Sequence, residues 1–301
     1  MSDEAARGLR RAQWQIHACV LLWGFTAILG KLITLPALAL VCWRMMLVSL
    51  ALLCWRPLRR SLRALSPRLR LAYAGVGVLV ALHWLTFYGA IKLANASVAA
   101  ACIGLAPVFL AVIEPVVMAR RFDRRELLLG IAVVPGVALV VGGVPVAMHA
   151  GIAVGTLSAL LVALFGALNK RLVEHAEPLT MTFVELGAGG VFLCMVAVGW
   201  ELSRGGFIAS QWLPGVQDAA LLLALALACT LLPFALSLVA LRRLSAFQAQ
   251  LAVNLEPVYA VMLAALLLGE QRELRPSFYV GVAIILAAVL LQPLLARTRP
   301  A

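Results

Sequence analysis

Leu105-Ala106-Pro107-Val108-Phe109 recurs 150 positions later as Leu255-Glu256-Pro257-Val258-Tyr259. Both stretches lie in long apolar segments, where a proline interrupts the hydrogen bonding of a helical backbone. The same offset relates upstream positions, namely Ala90, Lys92, Ala96 and Ala99 to Ala240, Arg242, Ala246 and Ala249. Because the chain has 301 residues, this offset indicates that one half has been duplicated, with Pro107 and Pro257 as matched helix breaks.

The composition is that of a membrane protein. Apolar residues make up 64% of the chain and charged residues 13%, and the mean hydropathy is +1.02. The apolar residues fall into blocks of about 20, the length of a helix that crosses a bilayer. The sequence therefore predicts an all-α integral membrane protein with ten transmembrane helices, at Trp14–Thr34, Pro36–Trp55, Leu69–Ile91, Ala96–Ala119, Leu127–Ala147, Gly151–Lys170, Leu179–Trp200, Val216–Leu241, Phe247–Gly269 and Phe278–Leu295. The first block has no small-residue cleavage site, so we expect an uncleaved first helix.

The net charge of +12 sets the orientation of these helices. Arginines cluster before the first block, between the second and third, and between the fourth and fifth, all on one side of an alternating topology. By the positive-inside rule this bias predicts that both termini are cytoplasmic. The basic residues are thus explained by topology and by anionic lipid as a partner, and no nucleic-acid partner is expected.

Five spans in each half is an odd number, so the second half must enter the membrane from the opposite side. The sequence therefore predicts two inverted five-helix repeats, at residues 14–147 and 151–295. Matched helix breaks in an inverted repeat are typical of secondary transporters.

Several motifs resemble those of one family. They are Trp23-Gly24 followed by Lys31, and Leu255-Glu256-Pro257-Val258 followed by Leu268-Gly269-Glu270. Together with the ten blocks they resemble the drug/metabolite transporter superfamily, and within it the EamA-type permeases. This resemblance implies export of amino acids, related metabolites or drugs across the bacterial inner (plasma) membrane. The family often carries Gly-Glu where this chain has Ala119-Arg120, with an extra Glu114-Pro115 one turn earlier.

Four ionisable residues lie inside the predicted spans, where each is a functional candidate. Glu256, near the middle of the ninth span, suits a proton carrier or a contact for a substrate amine. Arg44, in the middle of the second, needs either a carboxylate partner or an anionic group of a substrate. A structural ion pair remains the alternative for both residues. Glu114 and Glu185 lie closer to helix ends, and for Glu114 a structural role is favoured, in contact with Arg120, Arg121 or cytoplasmic water.

Polar and aromatic residues form a second set of candidates for a cavity that takes amphipathic molecules. The set comprises Trp23 in the first helix, His83, Trp84 and Tyr88 in the third, and Gln250, Asn254 and Tyr259 in the ninth. For each single aromatic residue, packing against lipid or other helices is the alternative. His83 is also a candidate proton shuttle.

These features predict a secondary transporter that moves a small organic solute by alternating access, with proton-coupled efflux as the expected process. An uptake permease for a small nutrient, a lipid-handling flippase and an intramembrane enzyme are the alternatives. The sequence has no Walker motif and no catalytic motif, so neither ATP nor an enzymatic function is predicted. Neither the six cysteines nor the four histidines show metal-ligand spacing, so no metal or other cofactor is expected. The oligomeric state does not follow from the sequence.

Overall fold

The computed structural model describes residues 3–206, 209–253, 255–269, 272 and 274–296. It is all-helical, with 84% of residues in helices and no strand in these ranges. The first half contains seven helices, α1 (Asp3–Leu32), α2 (Ala37–Leu53), α3 (Leu58–Ala64), α4 (Pro67–Leu93), α5 (Ala96–Ile103), α6 (Ala106–Val117) and α7 (Arg124–Gly142).

The second half repeats this order of long and broken helices. Its α-helices are α8 (His149–Leu172), α9 (Pro178–Ser203), α10 (Ala209–Trp212), α11 (Val216–Ala226), α12 (Leu232–Leu241), α13 (Ala246–Val253), α14 (Glu256–Leu263) and α15 (Pro276–Ala296). Two π-helical turns, Leu227–Leu231 and Ala264–Leu268, continue α11 into α12 and extend α14.

Six helical segments of the described chain are long and apolar enough to cross a membrane, and a seventh qualifies if α2 and α3, bent by 99°, count as one. The remaining predicted spans also contain helices, but two of these have only short apolar parts, Gly130–Val140 and Val258–Leu268. The structure therefore supports a multi-pass membrane protein, whereas the number of ten spans stays a prediction. Apolar side chains cover the outside of the helices as lipid contact requires, with Val116 78% exposed and Val216 93% exposed.

The two proline breaks have the same geometry in both halves. Pro107 and Pro257 each lie in the first turn of a new helix, α6 and α14, where a missing N–H breaks no helical hydrogen bond. The turn before each proline is closed by equivalent backbone bonds, from Leu105 N to Cys102 O and from Leu255 N to Ala252 O, both 3.0 Å. The backbone thus repeats at the offset of 150 residues that the sequence shows.

Many helix–helix contacts between the two repeats occur in couples, because each has an equivalent contact in which the repeats are exchanged. The α4–α8 contact corresponds to α1–α12, α6–α8 to α1–α14, and α6–α13 to α5–α14. The contacts α2–α9 and α7–α15 each join a helix to its own counterpart. These couples are what a two-repeat fold requires, and they bring both broken helices toward the centre of the molecule.

Glycines allow the closest of these contacts, between α4 and α9. A Cβ atom added at Gly77 would overlap the backbone of Glu185, and one added at Gly189 would overlap the carbonyl group of Gly77. Only glycine permits this backbone approach. The contact holds α9 against α4 at a level where α9 carries a carboxylate.

Candidate functional site

A central cavity lies between the two halves. It contains about 930 Å³ of space free of protein atoms, including the part that opens to the surroundings. Its wall is formed by α1, α2, α4, α8 and α12 together with the broken helices. Aromatic rings make up much of the wall, from Trp23, Trp84, Phe87, Phe165 and Phe234.

Arg44 of α2 lines this cavity and is only 2% exposed. Its Nε donates a hydrogen bond to Thr230 Oγ1 at 2.6 Å, and its Nη1 donates to the Tyr88 hydroxyl at 2.8 Å. The guanidinium carbon lies 3.7 Å from the centre of the Trp84 ring, a cation–π contact. No carboxylate of the described chain lies within ion-pair distance of Arg44, so uncharged groups contact the guanidinium, and Glu256 interacts with it electrostatically at longer range.

Thr230 is a member of the site that sequence reasoning missed. It lies in the π-helical turn between α11 and α12, and its hydroxyl donates to Leu225 O at 2.6 Å. Because that hydroxyl proton is used, the oxygen faces Arg44 as an acceptor. π-Helical turns inside α-helices are frequent at functional sites. A threonine three residues before Pro233, within an apolar span, was the available signal.

Glu256 begins α14 directly after the second helix break, lines the cavity and is 7% exposed. Among the described residues, no hydrogen bond or ion pair reaches its carboxyl group. Glu256 and Arg44 therefore share one cavity without touching each other. The direct ion pair that the sequence allowed between them is absent from this structure, and their charges face the same enclosed space.

His83 of α4 lines the cavity and is fixed from behind. Its Nδ1 lies 2.9 Å from the carbonyl oxygen of Ser158 and 2.8 Å from its hydroxyl, which itself donates to the His83 carbonyl. The imidazole ring lies 5.4 Å from the Phe165 ring. A carbonyl oxygen can only accept, so this contact assigns the hydrogen to Nδ1 and leaves Nε2 as an acceptor.

The other predicted candidates are dispersed around this centre. Trp23 lines the cavity, whereas Tyr88 lies behind it and contacts it only through Arg44. Tyr259 is 38% exposed and packs against Gly24 instead of the cavity. Gln250 belongs to α13, but its side chain lies outside the described part of the structure, as does the whole of Asn254.

Glu114 lies at the end of α6 and outside the cavity wall. Its carboxylate oxygens accept hydrogen bonds from the backbone N–H groups of Ala246 at 2.9 Å and Phe247 at 2.8 Å. Arg120 approaches the same carboxylate at 3.4 Å. The geometry is that of a cap on the first turn of α13, which agrees with the structural reading of this residue.

The fold and this cavity are those of a multi-pass membrane protein, and comparison with known proteins identifies the family. The family model described as "EamA-like transporter family" matches residues 12–142 and again residues 149–292. The chain therefore belongs to the EamA-like transporter family, which confirms the resemblance in the sequence and the two-repeat fold. Members of this family are transporters and not enzymes.

A solved structure shows the same fold at low sequence identity. A solved crystal structure of another protein matches this chain with a TM-score of 0.69 and 15% sequence identity. The match covers 95% of this chain and 97% of the other. At that identity the likeness concerns the fold alone. No curated protein matches this sequence.

Proposed function

We propose that this protein is a secondary transporter of the inner membrane that moves a small organic solute by alternating access, coupled to protons through Glu256. The observation that supports the proposal most strongly is the pair of opposite charges in one aromatic-walled cavity. Arg44 offers a guanidinium whose hydrogen bonds go to uncharged groups, and Glu256 offers a carboxylate that no hydrogen bond or close ion pair reaches among the described residues.

This arrangement favours a solute with separated charges and an apolar part. An anionic group of the solute would be recognised by Arg44, because guanidinium binds carboxylates in a planar, bidentate geometry. A protonated amine would contact Glu256, while rings such as Trp23, Phe87 and Phe165 would pack against the apolar part. Amino acids with large neutral side chains fit this description, and the aromatic wall excludes strongly polar side chains.

Coupling to protons would follow from competition at one carboxylate. Glu256 holds either a proton or the amine of the solute, since both neutralise the same negative charge. If the binding site changes the side to which it opens only when it holds either a proton or the solute, the protein exchanges solute for protons. In a membrane whose proton gradient is directed into the cell, this exchange would drive efflux of the solute.

Solute counterflow in liposomes with purified protein tests the transport activity across a panel of amino acids. Uptake of labelled solute that is accelerated by the same unlabelled solute inside is expected, and it would be absent for an enzyme. Phospholipid scrambling in the same liposomes would instead identify a flippase. No acceleration with any solute of the panel would reject the amino-acid substrate class.

The coupling role is tested with Glu256→Gln under an imposed pH gradient, and Glu174→Gln is the matched control because Glu174 is exposed in the loop between α8 and α9. We expect Glu256→Gln to lose accumulation driven by the gradient while keeping some solute exchange, and the control to behave like the parent. A Glu256→Gln variant that accumulates solute like the parent would show that the proton is carried elsewhere.

A further inference from the structure

A second carboxyl group lies buried in α9, beside the cavity and not in its wall. Glu185 has an exposure of 0%, and α9 is pressed against α4 at this level by the Gly77 contact. The Asn169 amide nitrogen donates to Glu185 Oε2 at 3.4 Å. Asn169 itself is 2% exposed and lines the cavity, so it connects Glu185 to the solute site.

Within the described part of the chain, two buried oxygen atoms of this pair have no hydrogen-bond partner, Glu185 Oε1 and Asn169 Oδ1. Both atoms are acceptors when the glutamate is ionised, so neither can satisfy the other. Buried polar atoms are nearly always paired, and each exception calls for an explanation. What this pair lacks is one donor hydrogen.

The surroundings of Glu185 contain no counter-ion in the part of the chain that the structure describes. The α4 helix presents Tyr73, which interacts electrostatically with Glu185 and whose hydroxyl donates to Leu172 O at 3.1 Å. Arg242, at the end of α12, donates to the carbonyl groups of Val173 and Ala176. On α2 the nearby polar group is the hydroxyl of Ser49, which donates to Met45 O. An ionised carboxylate here would be buried with a single long hydrogen bond, an arrangement with a large free-energy penalty.

The position of Glu185 mirrors that of Arg44. Each is the eighth residue of its helix, α2 or α9, and these helices are counterparts in the two halves. Arg44 is held by α4 and by the turn before α12, and Glu185 lies between α4 and α8. The two halves thus carry one ionisable group each at corresponding positions of these helices.

We propose that Glu185 and Asn169 form a second proton-binding site of the protein, occupied in this conformation and in exchange with the cavity. A hydronium ion in the cavity gives its proton to the Glu185 carboxylate and leaves as water. The neutral carboxyl group then pairs with the amide of Asn169 through two hydrogen bonds, and both orphaned oxygens are satisfied. Release reverses this step when Asn169 moves away. Occupancy of the site does not rest on the proposed transport function.

Infrared spectroscopy of the purified full-length protein at neutral pH tests the occupancy directly. A protonated carboxyl group absorbs apart from carboxylates and shifts in D₂O. We expect such a band in the parent, its loss in Glu185→Gln and its retention in Glu256→Gln. Glu185→Gln is expected to fold, because an amide supplies the missing donor in the same shape, and Asn169→Ala should shift the band. A parent spectrum without a band that Glu185→Gln removes would overturn the proposal.

Proton counting tests the exchange with the cavity and does not require transport. Addition of acid or base to detergent-purified protein should show one exchangeable proton fewer in Glu185→Gln than in the parent, independently of Glu256. In the parent the D₂O shift of the band should develop on mixing. A band that stays unshifted after prolonged exposure to D₂O would show a locked proton and overturn the exchange. Counterflow that fails with every amino acid of the panel while the band is present would reject the proposed substrate class and leave this proposal standing.

Discussion

Glu114 provides the strongest test of how the two halves are held together. Its two carboxylate oxygens accept the N–H groups of Ala246 and Phe247, the first two residues of α13, at 2.9 and 2.8 Å. The next N–H group of this helix start has a local acceptor. Gln248 N donates to Ser245 Oγ and Ser245 N donates to Gln248 Oε1, both at 3.0 Å, which forms a capping box. The first half of the chain therefore satisfies backbone groups of the second that would otherwise be buried without acceptors.

The cost of removing this cap can be estimated from the geometry. A hydrogen bond to a charged group contributes about 1.5–3 kcal/mol, and a buried donor left unpaired costs about 1–3 kcal/mol. Two such donors are involved, and only 2% of the Glu114 side chain is exposed. We expect Glu114→Ala to destabilise the protein by about 3–5 kcal/mol, and Glu114→Gln by about half as much because one acceptor oxygen remains. The Arg120 contact is partly exposed, so its removal should cost less than about 1 kcal/mol.

Thermal unfolding of purified protein in detergent measures this order of stability. The expected ranking is parent and Glu174→Gln together, then Arg120→Gln slightly lower, then Glu114→Gln, then Glu114→Ala. Unfolding of Glu114→Ala at the temperature of the parent would refute the capping argument. An Arg120→Gln variant as unstable as Glu114→Ala would show that the ion pair, and not the cap, carries the energy.

Three further predictions follow from close contacts. Gly77→Ala should lower stability by about 1–3 kcal/mol because the added Cβ meets the α9 backbone. Gly75→Ala is the control, since Gly75 has open space around it, and it should leave stability unchanged. Equal thermal stabilities of the two variants would refute the contact. Thr230→Val removes an acceptor from Arg44 and should raise the KM for the solute about tenfold, if about 1.4 kcal/mol is lost from binding, with Thr230→Ser close to the parent; an unchanged KM in Thr230→Val would contradict this role. Alanine variants of Arg44 and Glu256 should be non-additive in transport, because one solute binds both; additive transport defects would place them in separate sites.

Sequence reasoning reached the fold because its signals are local and repeated. Long apolar blocks determine helices in a bilayer, and the offset between Pro107 and Pro257 marks helix breaks that the backbone shares. The boundaries were harder to predict, since α2 ends at Leu53 and bends into α3, where the sequence continues apolar to Trp55. Hydropathy also does not reveal the π-helical turns at Leu227–Leu231 in the eighth block and Ala264–Leu268 in the ninth.

The sequence predicted only part of the candidate site, and the reason is physical. A charge in a bilayer is expensive wherever it lies, so Arg44 and Glu256 could be found from sequence alone. Partners depend on which helix faces meet, and in uniformly apolar helices periodicity does not reveal this. Thr230, Asn169 and Ser158 were therefore missed, although each holds a candidate residue in place.

The cavity is not symmetric, although the helices of the two repeats are arranged in the same way. Seven residues of α12 and α13 line it. The counterparts of Phe234, Ser237 and Val253 line it as well, which leaves four lining residues without a lining counterpart, namely Leu238, Leu241, Ala246 and Ala249. Their counterparts 150 positions earlier are packed in the core with 0% exposure, namely Tyr88, Ile91, Ala96 and Ala99. The same backbone arrangement thus encloses space on one side and is filled on the other. In an inverted repeat, an exchange of these two arrangements moves the opening across the membrane while the centre stays in place. Glu256, at the break between α13 and α14, lines the cavity in this arrangement, and its counterpart Ala106 carries no charge.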